Sequence, residues 1–225
     1  MGQWISLETA AGTVSAWQAL PEGPPRGALV VIQEIFGVNP HIRSVADRYA
    51  QAGYATLAPA FFDLLEPDVQ LPYDVSAHER GRELVGRLGF DAALEVVAGA
   101  ANALARHGRV GTVGYCWGGT VAFLAALRLG LPSVSYYGAR NRAFLEALAP
   151  CQDTRAPVMF HFGDRDTSIP PEAVQLHRAR LPGHPVHTYP AGHAFNRDAS
   201  ADVYDPDSAH LARSRSLAFF AEHLA

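Results

Sequence analysis

The chain predicts an α/β fold, a mainly parallel, doubly wound sheet with helices on both faces. Three observations carry that expectation. Short runs such as Ala28–Gln33 and Val158–Phe162 are apolar almost throughout, as strands buried on both faces must be. Stretches with helical spacing lie between these runs, which makes βαβ units rather than hairpins. The 225 residues, 48% of them hydrophobic, suffice for one core, so a single domain over residues 1–225 is expected.

In chain order, two short strands with a turn at Ala10-Ala11-Gly12 fill the region up to Gln18, and a proline-rich loop follows at 21–25. Ala28–Gln33 is a buried strand, His41–Gln51 a helix stopped at Gly53, and Tyr54–Pro59 the next strand. A loop rich in Pro and Asp, Asp63–Asp74, leads into a helical stretch from Ser76 to Arg106, interrupted near Gly89. Arg109–Tyr115 is a strand, and Gly119–Leu129 a helix ended by Gly130 and Pro132. Ser133–Tyr137 is a strand, Arg142–Ala149 a helix and Val158–Phe162 a strand. Pro170–Leu181 is a helix whose first position tolerates proline, because its N–H has no partner there. Val186–Tyr189 is the last strand and Ser208–Leu224 the last helix. Right-handed crossovers distribute the helices over both faces. The loops at the carboxyl ends of the strands then form the active site.

Composition excludes several classes of function. A formal charge of −4 provides no basic footprint for nucleic acid. Two cysteines, Cys116 and Cys151, make no disulfide framework, and a reactive thiol fits a reducing compartment. The opening Met1-Gly2-Gln3-Trp4 lacks the basic and apolar regions of a signal peptide, and no apolar run reads as long enough to span a bilayer. The expectation is a cytoplasmic protein, a monomer or small homo-oligomer, acting on a small molecule without nucleic-acid or membrane partners. No HExxH pattern occurs, so neither metal nor cofactor is expected.

The chemistry centres on Val113-Gly114-Tyr115-Cys116-Trp117-Gly118-Gly119, which sets a thiol between glycines where a strand passes into a helix. That is the layout of a nucleophile elbow, with cysteine where serine more often stands. Gly114 and Gly118 remove β-carbons that would crowd the bend, and Gly119 lets the helix sit close to the sheet. A helix N-terminus stabilises a thiolate. His193, in Pro190-Ala191-Gly192-His193-Ala194-Phe195, follows the last strand and is the candidate general base and acid. Asp164 and Asp166, both after the Val158–Phe162 strand, are candidates for the carboxylate that orients the imidazole; either could instead cap the next helix, as could Ser168.

Glu34 closes the buried strand and must find a partner there; it is a candidate switchable proton acceptor for the thiol. The backbone N–H groups of Ile35 and Trp117 are candidates for an oxyanion hole. Arg80, Arg82 and Arg197 are cations able to bind a substrate carboxylate bidentately. Phe36, Trp117 and Phe195 flank the proposed groups as possible pocket walls, and Cys151 is assigned no role.

Together, Gln33-Glu34-Ile35-Phe36-Gly37-Val38-Asn39, Gly114-Tyr115-Cys116-Trp117-Gly118-Gly119, Tyr136-Tyr137-Gly138, Gly163-Asp164-Arg165-Asp166 and Ala191-Gly192-His193-Ala194-Phe195 resemble the dienelactone hydrolase family of the α/β-hydrolase superfamily. The resemblance implies an α/β-hydrolase fold and a carboxylic ester hydrolase that opens a small, carboxylate-bearing lactone. It implies a Cys116–His193–Asp166 triad and a thioester intermediate. It implies that Glu34 either holds the thiol's proton or pairs with Arg197, depending on substrate, and that Arg82 and Arg197 bind the substrate carboxylate. The sequence departs from the family after Arg82, where Leu84, Val85, Gly86 and Leu88 stand in place of aromatic residues that would shape a dienelactone pocket. A general carboxylesterase or thioesterase on the same scaffold is the alternative, and a non-catalytic binding protein the third reading.

Overall fold

The structure is a computed structural model and describes residues 2–149 and 153–224. Cys151 lies outside the described residues. Eight strands, β1 (Gln3–Thr9), β2 (Gly12–Ala19), β3 (Ala28–Ile32), β4 (Ala55–Pro59), β5 (Val110–Tyr115), β6 (Ser133–Tyr136), β7 (Val158–Gly163) and β8 (Val186–Tyr189), form one sheet in the order β1-β2-β4-β3-β5-β6-β7-β8. β2 is antiparallel to β1 and β4, and the other neighbours are parallel. Six helices, α1 (Pro40–Gln51), α2 (Val75–Leu104), α3 (Trp117–Leu124), α4 (Asn141–Ala147), α5 (Pro171–Arg180) and α6 (Pro206–His223), connect and flank the strands. The sheet is mixed but mainly parallel, with helices on both faces. α1 and α6 meet on one face through Tyr49 and Phe220, whose ring centroids are 6.2 Å apart. On the other, Phe90 of α2 stacks on Trp117 of α3 at 6.3 Å.

β3 explains why the centre holds. Leu29, Val30, Val31 and Ile32 are all fully buried, and each such side chain contributes about 1.5–3 kcal/mol relative to exposure. β4 lies on one side of β3 and β5 on the other, so the chain winds outward in two directions from this point. Ligands of open α/β sheets bind at the carboxyl ends of strands around such a reversal.

Helix starts follow their caps. Asn39 accepts from the amide of Ile42 at 3.2 Å, Asp74 from Ala77 at 2.8 Å and Asp205 from Ser208 at 2.9 Å. These bonds start α1, α2 and α6 slightly before the first periodic residue, at Pro40, Val75 and Pro206. The expected interruption of α2 is a kink at Gly89, whose φ of 72° suits glycine.

Two expectations are corrected. The helix expected from Gly119 begins at Trp117, directly after the cysteine, because its glycines allow the first turn to touch the sheet. The segment Val75–His107 is long and apolar enough by length and composition to cross a membrane, contrary to the sequence reading. In this fold α2 lays the side chains of Leu84, Leu88, Val96, Val97 and Ala100 against the interior, so the apolarity serves the core.

Candidate active site

The elbow forms because three positions lack a side chain. A Cβ on Gly114 would sit 1.9 Å from the carbonyl oxygen of Gly118, and one on Gly118 would sit 2.3 Å from that of Gln33. A Cβ on Gly119 would approach the Tyr136 carbonyl to 2.3 Å. α3 can therefore seat its first turn between the ends of β3 and β6. Cys116 pays for this bend with φ 54° and ψ −116°, a conformation that costs a non-glycine residue about 1–3 kcal/mol. The Cys116 amide donates to the Tyr136 carbonyl at 3.1 Å, which holds the bend, and the thiol stays partly exposed.

His193 comes from the loop after β8, and its Nε2 lies 3.3 Å from Cys116 Sγ. Its Nδ1 donates to Asp166 Oδ2 at 2.6 Å, while Asp166 Oδ1 accepts from the Ser168 amide at 2.8 Å. Asp166 is buried, whereas Asp164 is exposed beside Arg165. Of the two acids left open by the residues alone, Asp166 is the one that meets the ring. Neither caps α5, whose N-cap Pro170 makes no side-chain bond. Burial works against a charge on His193, but the charge at Cys116 and the hydrogen bond to Asp166 outweigh it and raise the pKa to about 10.

Glu34 is sealed at the end of β3 and meets Arg197 in a two-pronged pair, Oε1 to Nη2 at 2.9 Å and Oε2 to Nε at 3.1 Å. Tyr73 adds its hydroxyl to Oε2 at 3.3 Å. Burial and then the charge of Glu34 push the Tyr73 hydroxyl pKa far up, so it remains a donor. The Arg197 guanidinium also lies 4.3 Å from the Tyr73 ring centroid and 5.1 Å from that of Phe36.

Beside the thiol lies a cavity of about 260 Å³. Cys116, His193, Ile35 and Trp117 line it, and the amides of Ile35 and Trp117 make no hydrogen bond among the described residues. α2 contributes His78, Arg82 and Val85, which helical spacing places on one side. The turn after β6 contributes Ala139 and Arg140. A larger hollow of about 680 Å³ between β1 and α2 is lined by no thiol or imidazole, so it lacks this chemistry. Among the described residues no cluster of His, Cys, Asp or Glu could hold a metal ion.

A nucleophile, a base oriented by a buried acid and two open amides at a helix start can together perform acyl transfer. The dienelactone hydrolase family model matches residues 14–224. A carboxymethylenebutenolidase of Pseudomonas putida is 34% identical over 229 residues, covering 96% of this chain and 95% of its own. The chain belongs to the dienelactone hydrolase family. Carboxymethylenebutenolidase 1 of Cupriavidus pinatubonensis is 31% identical, over 94% of this chain and 93% of its own. A crystal structure assigned as a dienelactone hydrolase from Klebsiella pneumoniae superposes with a TM-score of 0.84 at 30% identity, covering 99% and 98% of the two chains. This dienelactone hydrolase family member thus has the α/β-hydrolase fold and is a hydrolase.

Against these positions, one expectation for side chains requires correction, that for Phe36 and Phe195. Arg197 is not among the residues lining the cavity; its guanidinium is engaged by Glu34, the pairing the resemblance allowed for, and packed against two rings. Phe36 and Phe195 do not line it either, since both are buried in the core. Arg82 does line it, whereas Arg80 turns to Glu66 and Glu83. Glu34 stands in its Arg197-paired alternative. Sequence reasoning missed Tyr73, His78 and Arg140. His78 could have been found from its four-residue spacing to Arg82, and Arg140 from its place just beyond a strand's carboxyl end.

Proposed function

We propose that this hydrolase opens a small carboxylate-bearing lactone, or cleaves a comparable ester, through Cys116, His193 and Asp166. The observation that carries the reading is the continuous chain from Sγ through Nε2 and Nδ1 to Oδ2, with steps of 3.3 and 2.6 Å. The named relatives described as carboxymethylenebutenolidases support the lactone.

In this scheme His193 carries the proton and Cys116 reacts as thiolate. Sγ attacks the carbonyl carbon, and the oxyanion is received by the amides of Ile35 and Trp117, a contribution of about 3–4 kcal/mol for each donor. Collapse forms a thioester and breaks the ring C–O bond, and His193 gives its proton to the departing oxygen. His193 then takes a proton from water as the water attacks the thioester. The carboxylic acid forms and the thiolate is restored. Asp166 orients the ring throughout and stabilises it whenever it is charged. Glu34, paired with Arg197, is a reserve acceptor that acts after that pair opens. Arg82 binds the substrate carboxylate, and no metal or organic cofactor takes part.

Cys116→Ala, assayed on dienelactone and on p-nitrophenyl acetate, should lower turnover by on the order of 10⁴-fold or more with the fold intact. Mass spectrometry of the wild-type enzyme mixed rapidly with ester should find the acyl group on Cys116. Undiminished turnover in the variant would sink the proposal. Val85 lines the cavity where an aromatic wall was expected, which favours a broader carboxylesterase as the second reading. Comparing kcat/KM for dienelactone with that for simple esters decides between them.

A further inference from the structure

The cavity receives arginines from two separate elements, Arg82 from α2 and Arg140 from the turn between β6 and α4. On each element an arginine two residues away is neutralised. Arg80 pairs with Glu66 and Glu83, and Arg142 pairs with Glu146 at 2.7 Å. Arg82 and Arg140, by contrast, make no ion pair or hydrogen bond with any described residue. No carboxylate lines the cavity. The nearby acids Glu34 and Asp166 are buried and already matched to Arg197 and His193. The cavity of about 260 Å³ is therefore lined by two arginines, both exposed, whose charge no described side chain pairs.

We infer that Arg140 is a second anion-binding residue, and that the preferred substrates are small esters or lactones bearing two acidic groups, one for each arginine. The inference deepens the hydrolase reading above and rests on it for the words ester and lactone. The two oxygens of one carboxylate are satisfied by one guanidinium fork, so a monoacid leaves the other cation paired with solvent alone. A diacid answers both. The expected discrimination follows from geometry and charge, since a lost charge-assisted hydrogen bond weakens binding by about ten- to hundredfold.

Calorimetric titration tests this without requiring turnover. Maleate and succinate serve as diacids, crotonate and acetate as monoacids, against wild type, Arg82→Met and Arg140→Met, with thermal melts to confirm folding. The diacids should bind wild type more tightly than the monoacids. Arg140→Met should weaken diacids by about ten- to hundredfold and monoacids by less than about threefold, leaving the two classes nearly equal. Arg140→Lys should retain part of the preference, because it keeps the charge and loses the fork. Equal losses for both classes in Arg140→Met would mean that both arginines clamp one carboxylate and would overturn the inference. No loss for either class would also overturn it. Failure of the hydrolase reading appears separately, as absent turnover of dienelactone and of p-nitrophenyl acetate alike by the wild-type enzyme.

Discussion

His193 and Arg197 stand four residues apart in the loop after β8, and each grips a carboxylate that arrives from another strand end. His193 meets Asp166 at 2.6 Å and Arg197 meets Glu34 at 2.9 Å. The histidine leaves its second nitrogen turned to Cys116 and is partly open to the cavity. The arginine is covered, with two of its nitrogens on Glu34 and its plane against Tyr73 and Phe36. A shared loop therefore delivers one group whose proton can move and another whose charge is consumed by the fold. What separates them is the second partner, a polarisable thiol in one case and aromatic walls in the other.

The largest way to break the comparison is to remove the working half. His193→Gln should lower turnover by on the order of 10³–10⁴-fold, with a smaller loss of stability than Arg197→Met because the Gln amide can still donate to buried Asp166, and combining it with Cys116→Ala should cost little more turnover than either alone. The charge on the ring can be followed directly. His193 has a pKa raised to about 10 because the Cys116 charge and the Asp166 bond outweigh burial. Its imidazole should therefore stay doubly protonated at neutral pH in an NMR titration and lose the proton only in the alkaline range. In Cys116→Ala the larger of the two raising causes is gone, so the midpoint should move down toward the ordinary histidine range. A midpoint that ignores the substitution would mean that the thiol does not hold the proton on the ring.

Removing the locked half should act on stability far more than on turnover. Arg197→Met leaves Glu34 as a buried carboxylate without its cation, and Glu34→Gln leaves Arg197 as a covered cation without its anion. Breaking such a pair from one side costs about 3–5 kcal/mol, whereas removing both charges together is often close to neutral. Urea melts of the two single variants and the double variant should give that pattern. Equal and additive losses would mean that the pair is two independent contacts.

How much of this could be read in the sequence depends on how local the cause is. The elbow was legible, because Gly114, Gly118 and Gly119 are adjacent to Cys116 and their reason is steric. The places of Cys116 and Asp166 were legible as ends of apolar strands in a parallel sheet, and that of His193 as the loop after the last strand. Choosing Asp166 over Asp164 needed either the family resemblance or the coordinates, since both stand in one loop and differ in direction. The pairing of Arg197 with Glu34, 163 residues away, was legible only through the family resemblance, and its packing against Tyr73, from a loop without periodicity, not at all. Arg140 escaped because an exposed arginine before a short helix has no pattern of its own. It becomes informative only when its neighbour Arg142 is seen to be paired.

The smallest expected effect sharpens the comparison most finely, because it asks what keeps the lock shut. The Tyr73 hydroxyl donates to Glu34 at 3.3 Å, and its other contact is Asn39 Oδ1, also at 3.3 Å, the atom that caps α1. Tyr73→Phe keeps the ring beneath Arg197 and removes the hydroxyl alone. A net hydrogen bond is worth about 0.5–1.5 kcal/mol, so the variant should lose roughly that much in a urea melt, well below the loss in Arg197→Met. Turnover of a neutral ester should fall far less than in His193→Gln, since the base and its acid are untouched. If Tyr73→Phe instead destabilised the protein as much as Arg197→Met, the ion pair would be secondary, and Glu34 would be held by the phenol rather than by the charge.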